Sequence, residues 1–251
     1  MISTFPLLNL LKTSKMSNIA KQNNDSKSNM THLEAELLHL KKDMIEMWDT
    51  VINQVQKAKA VVESGNKDLI NEMATGEKLI DAFELKVDMD CENFLALFSP
   101  VANDLRLVLA ILKINYNLER IGDFAWSTAK VIREMDNPTS SESLEKTNLI
   151  LMLDTAIWML KTAMEAFETD DNNLASTIFE KDKILDDNNK NANTLIADLI
   201  KLHPENITDF LGMLTIIKKL ERIGDHTKNI AEEIIFYIEA KVIRHNRKKS
   251  K

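Results

Sequence analysis

Eight acidic residues of this sequence form four pairs whose members lie four positions apart. In chain order they are Glu77 and Asp81, Glu119 and Asp123, Asp182 and Asp186, and Glu221 and Asp225. On a helix, residues i and i+4 share one face. Crowded carboxylates repel one another unless protons or cations neutralise them, and their oxygen atoms suit hard cations such as Mg²⁺, Mn²⁺, Ca²⁺ or oxidised iron. We therefore take the eight residues as candidate metal ligands.

Two of the pairs lie inside an internal repeat. The six residues Leu118–Asp123 recur identically as Leu220–Asp225, at an offset of 102, which indicates a duplication. A second pair precedes each copy: Asp81 lies 38 residues before Glu119, and Asp186 lies 35 residues before Glu221. One such pair is commonplace among 39 acidic residues and usually marks a solvated face. Matched pairs beside a repeated hexapeptide favour the metal interpretation.

The apolar pattern around the repeat places the acidic pairs. At about 100° per residue, Glu119 and Asp123 lie opposite the seam that Leu118 and Ile121 begin. We expect them on the outer side of a helical bundle. Glu84, one turn after Asp81, falls nearer the apolar positions and could join the site.

Arginine and glycine recur in the same motif. Arg120 and Arg222 could brace a neighbouring carboxylate or their own bundle. Gly122 and Gly224 each cost about 1 kcal/mol relative to Ala inside a helix. A close helix contact or a ligand near the backbone would explain that cost.

Long helices must position these residues. Only 5 Gly and 4 Pro occur in 251 residues, so turns are few, and apolar residues recur in steps of three and four. The sequence predicts an all-α fold of six long helices in two pseudo-symmetric up-down-up three-helix bundles. Helices of roughly 30 residues would span about 45 Å, so we expect an elongated molecule.

The predicted domains follow from breaks in that pattern. Residues 1–30 are polar and aperiodic and are predicted to be a disordered leader. The first bundle takes 31–137 and the second 138–243, with the boundary at Asn137-Pro138 and a capping box at Thr139–Glu142. Ser99 and Pro100 are expected to cap and begin the third helix. Residues 244–251 form a basic tail.

Composition excludes several classes of function. The net charge of −7 speaks against a broad nucleic-acid surface. The single cysteine, Cys91, rules out an intramolecular disulfide and suits a reducing compartment. No run approaches the roughly 20 apolar residues of a membrane span, and the apolar run at 5–11 lacks the flanks of a signal peptide. We expect a cytoplasmic protein.

Further residues extend the motif. Asp104-Leu105-Arg106 precedes its first copy, and the second copy continues through His226 to Asn229-Ile230-Ala231-Glu232. Over residues 31–240 this pattern resembles the PhoU family, the accessory proteins of phosphate-specific transport. The resemblance implies two pseudo-symmetric three-helix bundles. It also implies multinuclear clusters of iron or zinc on the E/D-x-x-x-D motifs, with Mg²⁺ or Mn²⁺ as alternatives, and here these motifs hold the eight acidic residues above.

The resemblance further implies a role. Members of the family act as negative regulators of phosphate uptake, as adaptors between the ATPase subunit of a phosphate ABC transporter and a sensor histidine kinase. We expect a homodimer, and we expect that the chain could work at the inner membrane face. The basic tail could attract anionic lipid there, at roughly 1 kcal/mol per basic residue.

Departures and alternatives remain. Ser127 stands where the second half has Asn229, so the two sites need not bind metal equally. An alternative is a di-iron carboxylate enzyme of ferritin-like type, which needs two Glu-x-x-His motifs. The sequence has one, Glu36 to His39, on the first helix. A metal-free helical scaffold is the third interpretation.

Overall fold

The computed structural model describes residues 31–135 and 141–240, and all regular structure in these two ranges is helical. The prediction of an all-α fold is confirmed. The helices are α1 (His32–Ser64), α2 (Lys67–Phe98), α3 (Ala102–Glu134), α4 (Ser141–Thr147), α5 (Leu149–Thr169), α6 (Asn172–Leu202) and α7 (Ile207–Glu239), with a 3₁₀ turn at Pro204–Asn206. No helix in the described ranges combines the length and apolarity that a membrane span requires.

The segment that begins the second half forms two helices, α4 and α5. Asn148 takes a left-handed conformation with φ 53° between α4 and α5, which Asn tolerates better than most residues. The Nδ2 of Asn148 donates to Asn188 Oδ1 at 2.9 Å, so the break is also tied to α6. The short α4 therefore precedes the long helix α5, which begins at Leu149.

The helix ends correct one capping prediction. Gly65 is left-handed at φ 63° just after α1, a conformation in which glycine commonly ends a helix. Ser99, however, does not cap α3: it is the left-handed C-cap residue directly after α2, and its N–H donates to Leu95 O. Helix α3 starts after Val101, so Pro100 precedes it. The αL geometry that ends α2 excludes the extended backbone of an N-cap residue.

Several sequence predictions lie outside the described residues. These are the leader at 1–30, the boundary at Asn137-Pro138, the first two residues of the capping box, and the tail at 244–251. They stay predictions.

The described residues belong to two compact units, and the division falls inside α1 between residues 39 and 40. In the first unit, Thr31 caps the helix: its N–H donates to Glu34 Oε2 at 2.8 Å, and its Oγ1 accepts from the N–H of Glu34 at 3.2 Å. This reciprocal pair is a capping box. The second unit holds the remainder of α1 and all later helices.

Within the second unit, the helices that carry the acidic pairs are neighbours. Helix α2 packs on α3, α6 packs on α7, and α3 also packs on α7. A Cβ added at Gly122 would come within 2.8 Å of Ile80 Cδ1, and one added at Gly224 within 2.6 Å of Leu185 Cδ1. Both repeated glycines therefore mark a close helix contact at equivalent places in the two halves.

Trp48 on α1 ties the two halves together. Its side chain is fully buried, its Nε1 donates to Leu160 O on α5 at 3.1 Å, and its ring centroid lies 5.8 Å from that of Phe167. The hydrogen bond satisfies the only polar atom of a large buried ring. Trp48 therefore joins the core of the first half to that of the second.

We predict that Trp48→Ala lowers the free energy of unfolding by about 3–5 kcal/mol, because it leaves a cavity and removes a buried hydrogen bond. Urea unfolding followed by circular dichroism would measure this. Trp158→Ala is the matched control: Trp158 lies on α5 and is 41% exposed, so its loss should cost about 1 kcal/mol or less. Equal losses in the two variants would contradict the packing role of Trp48.

Candidate metal centres

The packing of α2 on α3 and of α6 on α7 gathers the four acidic pairs into two clusters. The first cluster consists of Glu77 and Asp81 on α2 and Glu119 and Asp123 on α3. The second cluster consists of Asp182 and Asp186 on α6 and Glu221 and Asp225 on α7. The structure therefore brings together the residues that the duplication predicts as partners.

In the first cluster a proton reduces the charge. Glu77 and Asp123 are hydrogen-bonded to each other, and burial followed by this contact raises the pKa of Glu77 to about 8. The Oε2 atom of Glu77 is buried and has no hydrogen-bond partner. Two carboxyl groups this close cannot both ionise cheaply, so without a bound cation Glu77 holds its proton at neutral pH.

Glu119 and Arg120 complete the first cluster. Burial and the neighbouring Asp123 raise the pKa of Glu119 to about 7, although Arg120 opposes the rise. Arg120 Nη1 lies 2.6 Å from Asp123 Oδ2, which is the bracing contact that the sequence suggested. Glu84 also raises the pKa of Glu119, so it lies within electrostatic reach of the cluster.

The second cluster brings its carboxylates closer. Within residues 31–135 and 141–240, only Asp182, Asp186 and Asp225 each place a ligand atom within 4.8 Å of the others. Asp182 is 2% exposed, and its Oδ1 has no hydrogen-bond partner. Burial raises the pKa of this carboxyl in spite of a hydrogen bond from Lys228. A buried, unpartnered carboxylate oxygen beside two further carboxylates is the environment of a cation site.

The sequence analysis did not single out Lys228, although this residue contacts two carboxylates of the second cluster. Its Nζ lies 2.5 Å from Asp182 Oδ2 and 2.7 Å from Asp225 Oδ1, and the residue is only 9% exposed. The i,i+3 spacing from Asp225 was the available signal. Nothing in the sequence alone placed Asp182 at the same ammonium group.

Glu221 and Arg222 lie at the edge of the second cluster. Burial and Asp225 raise the pKa of Glu221, but Glu221 is not among the three carboxylates that converge. Arg222 Nη1 stays 3.9 Å from Asp225 Oδ2 and its side chain is 63% exposed. Lys228 therefore takes in this half the role that Arg120 has in the first.

Glu119 and Asp123, which the sequence places on the outer side of the bundle, are not fully open to solvent. Asp182 is buried, Glu77, Glu119 and Asp123 are half-buried, and Asp81 alone of the first cluster is exposed. A helical wheel of α3 assumes that this helix packs on one side only. In the structure α3 contacts both α2 and α7, so side chains opposite one seam still face a neighbouring helix.

His226 follows the second motif and contacts the first half. Its Nδ1 lies 2.8 Å from Asn117 Oδ1 on α3, and its ring centroid lies 5.6 Å from that of Phe124. Phe124 holds the position equivalent to His226 in the other repeat. The departure between the repeats thus forms a contact between α3 and α7.

The donor sets suit a hard cation. All eight candidate ligands are carboxylates, and each cluster holds one buried carboxylate oxygen without a partner, Glu77 Oε2 in the first and Asp182 Oδ1 in the second. Oxygen-only sets select Mg²⁺, Mn²⁺, Ca²⁺ or oxidised iron over softer ions. Of the metals that the family resemblance implies, the residues present therefore fit oxidised iron, Mg²⁺ or Mn²⁺ better than zinc.

Comparison with known sequences agrees with the duplication. The sequence profile of the PhoU domain matches twice, over residues 44–132 and 149–234, and each match contains one cluster. The chain belongs to the PhoU family. The two matches correspond to the two halves that the repeated hexapeptide indicates.

Relatives and solved structures of the PhoU family agree. The chain is 31% identical over 206 residues to the phosphate-specific transport system accessory protein PhoU homolog of Borreliella burgdorferi, covering 79% of this chain and 92% of the relative. It is 28% identical over 229 residues to the homolog of Pseudomonas putida, with 88% of each chain covered. The crystal structure of PhoU from Pseudomonas aeruginosa superposes with a TM-score of 0.77 at 28% identity, covering 84% of this chain and 100% of that one.

A second structure supports the fold. The phosphate transport system regulatory protein PhoU from Streptococcus pneumoniae gives a TM-score of 0.75 at 24% identity, covering 84% of this chain and 99% of that chain. At this identity the likeness shows the PhoU fold alone.

We predict that Glu77→Gln changes how stability depends on pH in metal-free protein. A carboxyl group with a raised folded-state pKa binds its proton more tightly than in the unfolded chain, so the wild type loses stability as pH rises from about 5 to about 8. Gln is neutral throughout. The variant should match the wild type at pH 5 and exceed it by about 2 kcal/mol at pH 8, after allowance for solvent screening.

Chemical unfolding at several pH values in the presence of a chelator would measure this difference. Glu92→Gln, an exposed change on the same helix, should give no pH-dependent gain. A constant difference in stability between Glu77→Gln and the wild type from pH 5 to pH 8 would contradict the raised pKa of Glu77.

We also predict that Gly224→Ala destabilises the protein by about 1–3 kcal/mol. The new Cβ would lie 2.6 Å from Asp182 Oδ1 and from Leu185 Cδ1, which outweighs the gain of about 1 kcal/mol in helix propensity. Gly122→Ala should cost less, because its Cβ would come closer than 3 Å to one atom only, Ile80 Cδ1, which lies at the movable end of that side chain. Thermal unfolding compares the two, and a stabilised Gly224→Ala would contradict the close contact.

Proposed function

We propose that this protein is a metal-binding negative regulator of phosphate uptake and of phosphate-starvation signalling. In this proposal it acts as an adaptor between the ATPase subunit of a phosphate ABC transporter and a sensor histidine kinase. It works in the cytoplasm as a homodimer, in contact with the inner membrane face through its partners, and it catalyses no reaction. The observation that carries the proposal is the pair of carboxylate clusters on a chain of the PhoU family, whose relatives are named accessory proteins of phosphate-specific transport.

The arrangement of the clusters supports a structural use of metal. Each cluster takes ligands from two adjacent helices, so a bound cation would tie α2 to α3 and α6 to α7. The metal would supply positive charge that otherwise comes from a proton on Glu77 or from Lys228. We propose that this cross-link fixes the helix surfaces that the partners recognise.

The geometry favours an adaptor over the di-iron alternative. The carboxylates lie between α2 and α3 and between α6 and α7, and each candidate ligand provides oxygen only. A ferritin-like enzyme would need a His from a Glu-x-x-His motif on each of two helices. Oxygen consumption by the Fe²⁺-loaded protein at enzymatic rates would revive that alternative.

The test uses the double variant Asp123→Asn and Asp225→Asn, which removes one charged ligand from each cluster while keeping its shape. We expect at least a tenfold fall in bound metal by elemental analysis. In a host strain that lacks the chromosomal copy, we expect the variant to leave phosphate-starvation genes active at high phosphate. In pull-downs it should lose the ATPase subunit, the kinase or both.

The matched control is the double variant Glu180→Gln and Asp187→Asn. Both residues are exposed on α6, and their ion pairs are with Lys183 and Lys190 on the same helix. This control should keep its metal, its partners and its ability to repress. If wild-type protein binds neither partner at any phosphate level, the adaptor role is wrong. If it binds both while free of metal, the metal-dependent part is wrong.

A further inference from the structure

The second cluster already contains a cation of its own. The ammonium group of Lys228 touches Asp182 on α6 and Asp225 on α7, at 2.5 and 2.7 Å. It thus bridges the two helices as a metal ion would. The residue is 9% exposed, so this ion pair is largely removed from water, where charge-assisted hydrogen bonds are strongest.

The first cluster handles its charge differently. Trp126 holds the position equivalent to Lys228, and the nearby Lys130 places its Nζ over the Trp126 ring, 5.4 Å from the centroid. Arg120 contacts Asp123 from the same helix, with a side chain that is 37% exposed. A buried ammonium that bridges the carboxylates of two helices is therefore a feature of the second cluster.

A metal ion and Lys228 compete for the same oxygen atoms. Hard divalent cations bind carboxylate oxygens at about 2.0–2.6 Å. The Lys228 ammonium sits about as close to Asp182 Oδ2 and Asp225 Oδ1, and two cations in one small space repel each other. The flexible four-carbon stem of lysine lets the group leave without moving the helix.

The unpartnered oxygen of Asp182 indicates where a metal ion would enter. Asp182 Oδ1 is buried without a partner while Oδ2 holds Lys228, and Asp186 supplies a third carboxylate within 4.8 Å. One ammonium group therefore leaves part of the cluster's negative charge uncompensated. That residual charge would attract a divalent cation to the cluster.

We infer that Lys228 is a built-in counter-ion of the second cluster and that a divalent cation binds there only by displacing it. This inference rests on the metal binding in the proposed function. It makes the second cluster a site of lowered affinity, whose negative charge stays partly compensated when metal is scarce. The cation class is a hard divalent ion, for which Mn²⁺ is the probe.

Calorimetric titration with Mn²⁺ tests the inference. Every protein compared carries Glu77→Gln and Glu119→Gln, which remove two candidate ligands of the first cluster so that binding to the second cluster is measured. Lys228→Met removes the charge and keeps the length of the side chain. Without the competitor, the second cluster should bind Mn²⁺ at least tenfold more tightly. In metal-free form the same variant should melt about 5 °C or more below its parent, because the buried carboxylates lose their partner, and Mn²⁺ should restore that loss.

The matched control is Lys218→Met. It removes the same charge from an exposed position of α7 and should leave both Mn²⁺ affinity and melting temperature near those of the parent. Unchanged or weaker Mn²⁺ binding by folded Lys228→Met would overturn the inference about Lys228 alone. Absence of Mn²⁺ binding from every variant and from the wild type would overturn it together with the metal-binding part of the proposed function.

A second measurement needs no substitution. Brief acetylation of the full wild-type chain, read by mass spectrometry, should modify the buried Lys228 slowly without metal and at least threefold faster with saturating Mn²⁺. Labelling of the exposed Lys218 should not change. If Mn²⁺ leaves Lys228 equally protected, the ammonium does not give way to the metal and the inference is wrong.

Discussion

The repulsion between carboxylates that helix packing holds together is the constraint on which this structure depends. The close contacts at Gly122 and Gly224 bring neighbouring helices together beside the two clusters, so the acidic side chains cannot spread apart without loss of packing. The two halves reduce this repulsion with different groups: the proton that Glu77 holds in the first, and the ammonium of Lys228 in the second. The two halves therefore share the crowding of carboxylates but compensate its charge with different groups.

Much of the architecture could be predicted from the sequence. Long apolar periods and few glycines predict helices, and the repeated hexapeptide predicts which helices correspond. The matching pairs at 77–81 and 182–186 predicted that the acidic residues of neighbouring helices would meet. These inferences succeed because spacing along one helix fixes which face a residue occupies.

The remainder depends on contacts between distant segments. The break at Asn148 and the role of Ser99 follow from local backbone choices that periodicity does not encode. The burial of Asp182 and its contact with Lys228 require the registry of α6 against α7. A helical wheel shows one helix at a time, so it could not show that α3 is flanked by both α2 and α7.

The hydrogen bond from Trp48 to Leu160 has a consequence for the order of folding. The two residues lie 112 positions apart, so during synthesis α1 emerges long before its partner on α5 exists. The core of the first half stays incomplete until the second half has been made, since contacts of large sequence separation form late. The two similar halves thus share part of one core, in contrast to independent tandem domains.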